Sequence, residues 1–271
     1  LHWRHKQGYI VHVVSTNEIG ASSGNENTIK NYIQDAYFNW ENPPEIVGLI
    51  GDVSGSYDLS NYAHQWGGYY GPTDFDYAQL DGGDLLPEIF IGRISASNSD
   101  DLNNIINKTI LYEKATYIDG RSFKNAALAA DPDESGNSTI FTSQYIENIM
   151  INYGMENVET NYDASGISNW LIDQFQEGIL YYNYRGIYEA PGTSPSNQYN
   201  NGYATPFVTV MTCGTGDFDE GNSQSEEFVK LGSVNTPEGA VAAIGLATTG
   251  THTAYNNIID MGIYDGIFPR N

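Results

Sequence analysis

Short apolar runs that alternate with segments of helical spacing restrict the fold of this chain more than any other feature. The clearest run is residues 207–211, where β-branched and apolar side chains follow one another almost without a break. Such a run predicts a strand buried on both faces. Further strands are predicted at residues 9–14, 45–52, 88–94, 124–130, 158–162, 179–184 and 239–247, and helices at residues 28–40, 97–116, 138–153, 165–176 and 225–230. This alternation predicts an α/β fold with a mainly parallel sheet.

The 271 residues are enough for one large α/β domain or for two lobes, each with its own core. Residues 117–121 indicate the connection between two such lobes, because they separate one complete series of strands and helices from the next. The sequence therefore predicts a first α/β lobe over residues 1–118 and a second over residues 119–271.

Composition excludes several classes of protein. The net charge of −23 argues against a nucleic-acid partner, because a phosphate backbone would be repelled. The single cysteine excludes an internal disulfide. No apolar run approaches the ~20 residues of a membrane span. The first residues lack the apolar core of a signal peptide, and we expect the chain to be a piece of a longer precursor.

The single cysteine, Cys213, follows the run at residues 207–211 and precedes a turn with Gly214 and Gly216. Ligands bind at the carboxyl ends of strands in an open α/β sheet, and glycine lets a substrate approach the backbone closely. These features indicate a nucleophile. A buried structural cysteine is the alternative, because free cysteine is among the residue types most often buried.

Residues 213–218, Cys-Gly-Thr-Gly-Asp-Phe, resemble the nucleophile segment of the gingipain family of cysteine peptidases, which belongs to the caspase-like clan. The resemblance extends from about Gly8 to Ile267 and includes residues 49–52, 73–77 and 89–94. It implies caspase-like parallel sheets flanked by helices, in two side-by-side lobes with the active site on the second. It also implies hydrolysis of peptide bonds through an acyl-enzyme, a secreted or cell-surface location, and a precursor with flanking domains.

The resemblance assigns roles to individual residues. Cys213 matches the nucleophile, and its N–H matches one oxyanion donor. The second donor matches the N–H of Tyr188. Asp131 fits an acidic position that orients the base or holds a charged substrate group. The family histidine aligns with Ile187, which cannot transfer a proton, and its loss typically lowers the rate by about 10²–10⁴-fold.

Two other side chains are expected near Cys213. His252 follows the last predicted strand at the same sheet edge, and it is a candidate for a relocated base; a loop histidine bonded to Thr251 or Thr253 is the alternative. Arg185 precedes Gly186 and Ile187. It would favour a thiolate if it pointed toward Cys213, or it would pair with Glu189 or another acidic neighbour.

The substrate pocket is expected to include Gly186, Gly214 and Arg185. Thr139 aligns with the acidic pocket residue of the arginine-specific members of the family. Because threonine carries no charge, the sequence gives no support to a preference for basic residues at that position.

No cofactor is expected for catalysis, whereas the resemblance implies structural calcium. The loops at residues 131–137 and 74–84 carry hard oxygen ligands, and the candidate ligands are Asp131, Asp133, Asp74 and Asp84. Solvated acidic loops are the alternative. Zinc is not expected, because one cysteine and scattered histidines form no ligand cluster.

Two functions remain open from the sequence. One is a secreted cysteine endopeptidase whose nucleophile is Cys213 and whose base is altered. The other is a catalytically inactive homologue that acts as a binding or structural surface protein. Retention of Cys213 with its glycine turn favours the first, and Ile187 favours the second.

Overall fold

The structure is a computed structural model that describes residues 1–21, 24–115, 122–187, 192–219 and 221–269. The chain divides into two compact units. The first comprises residues 1–64 and 72–102, and the second comprises residues 65–71 and 103–271. The predicted connection at residues 117–121, with the lobe boundary at residues 118 and 119, lies outside the described residues, and that division stays a prediction.

The first unit contains short elements around a two-stranded parallel sheet. In chain order the elements are α1 (His2–Lys6), α2 (Glu26–Asn39), β1 (Ile46–Ile50), β2 (Tyr62–Trp66), β3 (Tyr69–Thr73) and β4 (Phe90–Ile94), of which β2 and β3 extend into the residues of the second unit. Strands β1 and β4 pair in parallel, and β2 and β3 form a separate two-stranded sheet. Helix α2 buries Ile29, Ile33 and Ala36, whose spacing places them on one helix face.

Two sequence predictions in this unit were wrong. Residues 9–14 form no strand, and the side chains of Ile10 and Val13 are 69% and 68% exposed. Strand propensity alone does not hold a strand, because its backbone groups need a neighbouring strand for hydrogen bonding. Residues 62–73, for which no strand was predicted, contain β2 and β3. His64 accordingly lies on a strand, where its ring bonds to Asp76.

The three segments of the first unit that carry the family resemblance, residues 49–52, 73–77 and 89–94, meet at the buried guanidinium of Arg93. Its Nε and Nη2 donate to the two carboxylate oxygens of Asp74 at 2.8 and 2.7 Å. Its Nη1 donates to the carbonyls of Gly51 and Leu59 at 3.0 and 2.9 Å. A bidentate arginine–carboxylate pair of this kind fixes geometry as well as charge. These motifs therefore stabilise the unit.

The second unit is built on a five-stranded parallel sheet with the order β6-β5-β7-β8-β9. Its elements are α3 (Ser99–Lys114, within this unit from Asn103), β5 (Asn125–Ala130), α4 (Ser138–Tyr153), β6 (Asn157–Asn161), α5 (Ile167–Glu177), β7 (Tyr181–Arg185), β8 (Phe207–Val210), α6 (Gln224–Lys230), β9 (Ala242–Gly245) and α7 (Thr253–Ile267). The predicted parallel α/β architecture is confirmed. Helix α7 was not predicted.

Successive side chains along the strands of this sheet point to opposite faces and pack into two separate cores. Ala127 and Ala129 of β5 pack with Leu171 and Phe175 of α5, whereas Leu128 packs on the other face with residues of α4 and α7. The same period of two places Tyr182 and Tyr184 of β7 in the α5 core. It turns Asn183 and Arg185 toward α7.

The strand order reverses between β5 and β7, because the chain crosses from β6 back over β5. Crevices for ligands form at the carboxyl ends of strands beside such a switch point. Asp131 follows β5, Gly186 follows β7, and Cys213 follows β8, which pairs with β7. The fold thus brings three predicted site residues to one sheet edge.

Helix α6, which follows the Cys213 turn, is anchored at both ends. The side chains of Ser223 and Glu226 form a reciprocal capping box at its start. At its end the buried Nζ of Lys108 donates to the carbonyls of Val229 and Leu231 at 2.5 and 3.0 Å. These contacts satisfy backbone groups that a helix end leaves unpaired. They fix the segment that begins with the cysteine.

None of the helices in the described ranges is both long enough and apolar enough to cross a bilayer.

Candidate active site

Cys213 lies three residues beyond the end of β8, and its side chain is partly exposed. The Sγ atom is 3.0 Å from the Oγ1 of Thr251 and 3.6 Å from its carbonyl oxygen. Partial exposure and polar contacts distinguish this sulfur from that of a structural cysteine enclosed by apolar side chains. Cys213 is thus partly open to solvent.

The turn after Cys213 is tied to the chain that follows β9. Gly214 adopts a φ of 71°, and its N–H donates to the carbonyl of Thr248 at 3.3 Å. Gly216 packs against Gly245 so closely that a Cβ at Gly216 would lie 2.5 Å from the Gly245 oxygen. A side chain at either glycine of this turn would strain or displace it.

The N–H of Cys213 was the first predicted oxyanion donor. It donates to no acceptor within the described part of the chain, whereas that of Gly214 is already bound to Thr248. The Cys213 N–H thus has no competing acceptor there, and its role as an oxyanion donor stays a prediction. Tyr188, the predicted second donor, lies outside the described residues.

Arg185 is the largest of the buried side chains at this edge, with 1% of its surface exposed. Its Nε donates to the Oδ1 of Asn257 at 2.6 Å, and its Nη1 donates to the carbonyls of Gly186 and Met211 at 2.9 and 3.1 Å. Its Nη2 donates to the carbonyl of Thr253 at 3.0 Å. The guanidinium thus joins the ends of β7 and β8 to the start of α7.

The charge of Arg185 is compensated mainly by these carbonyl dipoles. Burial lowers the pKa of Arg185, and the nearby carboxylate of Asp260 and thiolate of Cys213 act in the opposite direction. No carboxylate in the described ranges forms an ion pair with it. Its predicted alternative partner, Glu189, lies outside those ranges.

Asp260 lies on the inner face of α7 and is fully buried. One of its oxygens accepts from the Nδ2 of Asn183 at 3.1 Å, and the other has no partner among the described residues. Thr209 completes the network by donating to Asn183 at 2.5 Å and contacting the hydroxyl of Tyr264 at 2.8 Å. Burial raises the pKa of Asp260 to about 7, although Asn183 and Arg185 oppose the change.

Ile187 is partly buried and packs against the core on the α5 face of the sheet. A Cβ added at the preceding Gly186 would clash with the hydroxyl of Tyr184 and the Cβ of Asp131. The Tyr184 hydroxyl donates to the Ile187 carbonyl at 3.2 Å. The loop after β7 is thus held by a tyrosine, and Ile187 contributes apolar packing.

Asp131 and Thr139 serve the turn after β5. Asp131 is buried, and its Oδ1 accepts from the N–H of Asp133 at 2.9 Å. Burial raises the pKa of Asp131, and the charges of Asp133 and Glu134 add to this effect. Thr139 is fully buried, and its hydroxyl is engaged by the carbonyls of Asp131 and Gly136. Thr139 therefore presents no group to a substrate in this structure.

His252 is exposed and forms the N-cap of α7. Its Nδ1 accepts from the N–H of Ala254 at 3.1 Å. A neutral imidazole that accepts at Nδ1 carries its proton on Nε2. Its two nitrogens are then a capping acceptor and a donor, and neither is free to take the thiol proton. The relocated base stays a prediction, and this hydrogen bond weakens it.

The residues proposed as calcium ligands do not form a site. Both oxygens of Asp74 are bound to Arg93. The Oδ1 of Asp84 accepts from the N–H of Leu86, and Asp131 is bound to the backbone of Asp133. Across the described ranges, no three His, Cys, Asp or Glu side chains are grouped so that they could hold a metal ion. The arrangement does not fit calcium at these positions.

The sequence did not indicate four residues that the structure brings to the site: Thr251, Asn256, Asn257 and Asp260. The last three lie on α7, whose buried face is polar and whose exposed face carries Tyr255, Ile258 and Ile259. A search for apolar spacing does not find the inner face of such a helix. Polar residues three or four positions apart, such as Asn256, Asn257 and Asp260, were the feature of the sequence that could have indicated this helix face.

Comparison with known proteins relates the whole chain to one family. The model of peptidase family C25 matches residues 1–271. Gingipain R2 of Porphyromonas gingivalis is 28% identical over 228 residues, which are 80% of this chain and 30% of that protein. Lys-gingipain of the same organism is 32% identical over 146 residues, which are 52% of this chain and 8% of that protein. The chain thus spans less than a third of these relatives.

Solved structures show the same fold. The crystal structure of the Arg-specific cysteine proteinase gingipain R matches with a TM-score of 0.81 and 25% identity, over 97% of this chain and 63% of that one. The complex of the Porphyromonas gingivalis RgpB pro- and mature domains matches with a TM-score of 0.84 and 23% identity, over 99% of this chain and 64% of that one. The predicted caspase-like α/β fold of gingipain type is confirmed.

Substitution of His252 will separate a capping role from a catalytic one. Asn is a strong N-cap residue and Ala is a poor one. We expect His252→Asn to keep the wild-type stability, and His252→Ala to lose about 1 kcal/mol in urea unfolding. The rate of Cys213 alkylation by iodoacetamide should match the wild type in both variants. A base role would instead require that both variants lose reactivity by about 10²-fold or more.

Substitution of Asp260 will change how stability depends on pH. An aspartate in the unfolded chain titrates near pH 4, whereas Asp260 in the folded chain has a pKa of about 7. Between these values the folded state binds more protons, so stability falls as pH rises. In urea unfolding, we expect the unfolding free energy of Asp260→Asn, relative to that of the wild type, to increase by about 2 kcal/mol from pH 5 to pH 8.

The exposed Asp173→Asn is the control for this experiment. Its unfolding free energy should follow that of the wild type across the pH range. Parallel pH curves for Asp260→Asn and the wild type would show that Asp260 does not titrate as described.

Proposed function

The chain belongs to peptidase family C25, and we propose that it is the catalytic module of a cysteine endopeptidase in which Cys213 attacks the scissile carbonyl of a peptide. The supporting observation is the position of Cys213, a partly exposed residue beyond the carboxyl end of β8 whose sulfur contacts two oxygen atoms of Thr251. A free backbone N–H at the same residue supports the proposal, because an oxyanion requires such a donor.

The proposed reaction has two steps. The Cys213 thiol loses its proton to solvent, and the sulfur bonds to the carbonyl carbon while the Cys213 N–H binds the oxygen. The carbon–nitrogen bond then breaks, and the departing amine takes a proton from water. Water hydrolyses the resulting thioester, which releases the acid and restores the thiol. Arg185 donates hydrogen bonds to the carbonyls of Met211, two residues before Cys213, and of Thr253, two residues after Thr251.

We infer a slow peptidase, because Ile187 stands at the position of the family histidine and packs on the core. Without a general base the rate is typically lower by about 10²–10⁴-fold. Solvent is the proposed proton acceptor in its place.

The proposed substrates are peptides or proteins with no required basic residue at the cleavage site. Gingipain R is described as Arg-specific, but Thr139, at the aligned pocket position, is uncharged and fully buried. The net charge of −23 would still draw cationic peptides toward the surface through the long-range field. A secreted or cell-surface location and flanking domains in a longer precursor also belong to this proposal.

One observation favours a second function. No histidine in the described ranges hydrogen-bonds to Cys213, and Ile187 serves as packing. The chain would then be an inactive C25 homologue that binds peptides or partners at the same sheet edge. Its thiol would react with electrophiles no faster than an unstructured cysteine.

A peptide carrying an acyloxymethyl ketone distinguishes the two functions. We expect it to label the folded protein at Cys213 about tenfold or more faster than it labels a cysteine-containing peptide of residues 208–218. The margin reflects at least 1.4 kcal/mol of substrate binding at the site. Intact mass spectrometry follows the labelling, and Cys213→Ala should remain unlabelled. Equal rates for protein and peptide would contradict the peptidase and leave the inactive homologue.

A further inference from the structure

Thr251 is the only side chain among the described residues that hydrogen-bonds to the Cys213 sulfur. Its Oγ1 lies 3.0 Å from Sγ, and its carbonyl oxygen lies 3.6 Å from the same atom. The sequence named Thr251 only as a possible hydrogen-bond partner of His252, and not as a contact of Cys213. The contact places one hydroxyl and one carbonyl of a single residue against the nucleophile.

The hydroxyl of Thr251 has a second partner. The Nδ2 of Asn256 donates to the Oγ1 of Thr251 at 2.9 Å. A threonine hydroxyl has one hydrogen and two acceptor positions. Asn256 fills one acceptor position, so the hydroxyl keeps one acceptor position for a thiol and its hydrogen for a thiolate, which can only accept. A hydrogen bond of this polarity stabilises a thiolate more than a thiol.

The carbonyl of Thr251 can accept a hydrogen bond from Cys213 when the sulfur is a thiol. A thiol is a weak donor, and the Thr251 carbonyl oxygen at 3.6 Å is an acceptor within its reach, as is the Thr251 Oγ1 at 3.0 Å. The same residue can therefore hold the sulfur as a thiol through the carbonyl and as a thiolate through the hydroxyl. The sulfur need not move far when it loses its proton.

Asn256 is itself fixed in place. It lies in the first turn of α7, its side chain is 2% exposed, and its backbone N–H donates to the carbonyl of His252. Its Oδ1 has no partner in the described part of the chain. Burying the Oδ1 of Asn256 without a hydrogen bond costs free energy, whereas the Nδ2 of the same amide keeps its hydrogen bond to Thr251.

Other charged and titratable groups surround this contact. Arg185 of β7 is close enough to Cys213, Tyr184 and Asp260 for their charges to influence its pKa. His252 adjoins Thr251 but is engaged as the cap of α7. Asp217 and Asp219 follow Cys213 along its own loop. None of these groups hydrogen-bonds to Sγ in the described residues.

We propose that the Thr251 hydroxyl, oriented by Asn256, stabilises the thiolate of Cys213. Thr251 touches the reacting atom, and Asn256 is a positioning residue that acts through it. The proposal deepens the peptidase function, on which its catalytic meaning rests. It supplies what the missing histidine contact would otherwise provide to the anion, namely a donor, but it does not supply a base.

Alkylation by iodoacetamide at two pH values tests the hydroxyl directly. A donor that stabilises a thiolate increases its amount near neutral pH and decreases its intrinsic nucleophilicity. Thr251→Val keeps the shape and removes the hydroxyl. We expect it to react about threefold more slowly than the wild type at pH 7 and about threefold faster at pH 10, where thiols are ionised.

Two matched variants complete the series. Thr251→Ser retains the hydroxyl and should follow the wild type at both pH values. Asn256→Ala leaves the hydroxyl but removes its fixed orientation, and it should show the same reversal as Thr251→Val with a smaller amplitude. Asn256→Ala also keeps the test open if Thr251→Val fails to fold, which circular dichroism will show.

The outcomes are distinct. If Thr251→Val is slower or faster than the wild type at both pH values, Thr251 only controls access to the sulfur and the proposal is wrong. Equal rates in all variants would also overturn it. Because iodoacetamide requires no peptidase activity, a reversal in the alkylation rates together with failed peptide labelling would sustain this inference and remove the proposed function alone.

Discussion

The buried guanidinium of Arg185 is the interaction on which the rest of the site depends. It donates hydrogen bonds to the carbonyls of Gly186, Met211 and Thr253. Gly186 follows β7, Met211 follows β8, and Thr253 begins α7. An arginine stays charged at neutral pH, and enclosing it without acceptors would be very unfavourable. The three chain segments are therefore held together by the requirement that this one charge be satisfied. Cys213 lies two residues from one of these carbonyls, so its position is fixed by the fold of the second unit.

The polar inner face of α7 extends the same constraint into the core. Asp260, Asn183 and Thr209 form a hydrogen-bonded network beneath the sheet edge, where apolar packing would normally be expected. Replacing such a network by apolar residues is often neutral or stabilising, whereas removing one partner is destabilising. The network keeps α7 in register with β7 and β8. This register carries Thr251 and Asn256 to the sulfur, and the chemistry at Sγ thus depends on polar contacts deep in the unit.

Much of the second unit was predictable because strands such as β5 and β8 are short apolar runs, each with a distinct helix after it. The position of Cys213 at a strand end was predictable for the same reason. Helix α7 was not, because its buried face carries Asn256, Asn257 and Asp260 while Ile258 and Ile259 face solvent. The strand predicted at residues 9–14 was wrong, because propensity cannot supply a hydrogen-bonding neighbour. The contact between Thr251 and Cys213 joins residues 38 positions apart, and only the register of the sheet brings them together.

The central claim is that Cys213 forms a covalent acyl intermediate at the edge of this sheet. Its most direct test is intact mass spectrometry after the protein has been mixed with a peptide ester and quenched in acid within seconds. The account predicts one acyl group per chain, located on Cys213 and released by hydroxylamine, with slow turnover thereafter. Consumption of the ester without any acyl group on Cys213, or with the group on another residue, would contradict it.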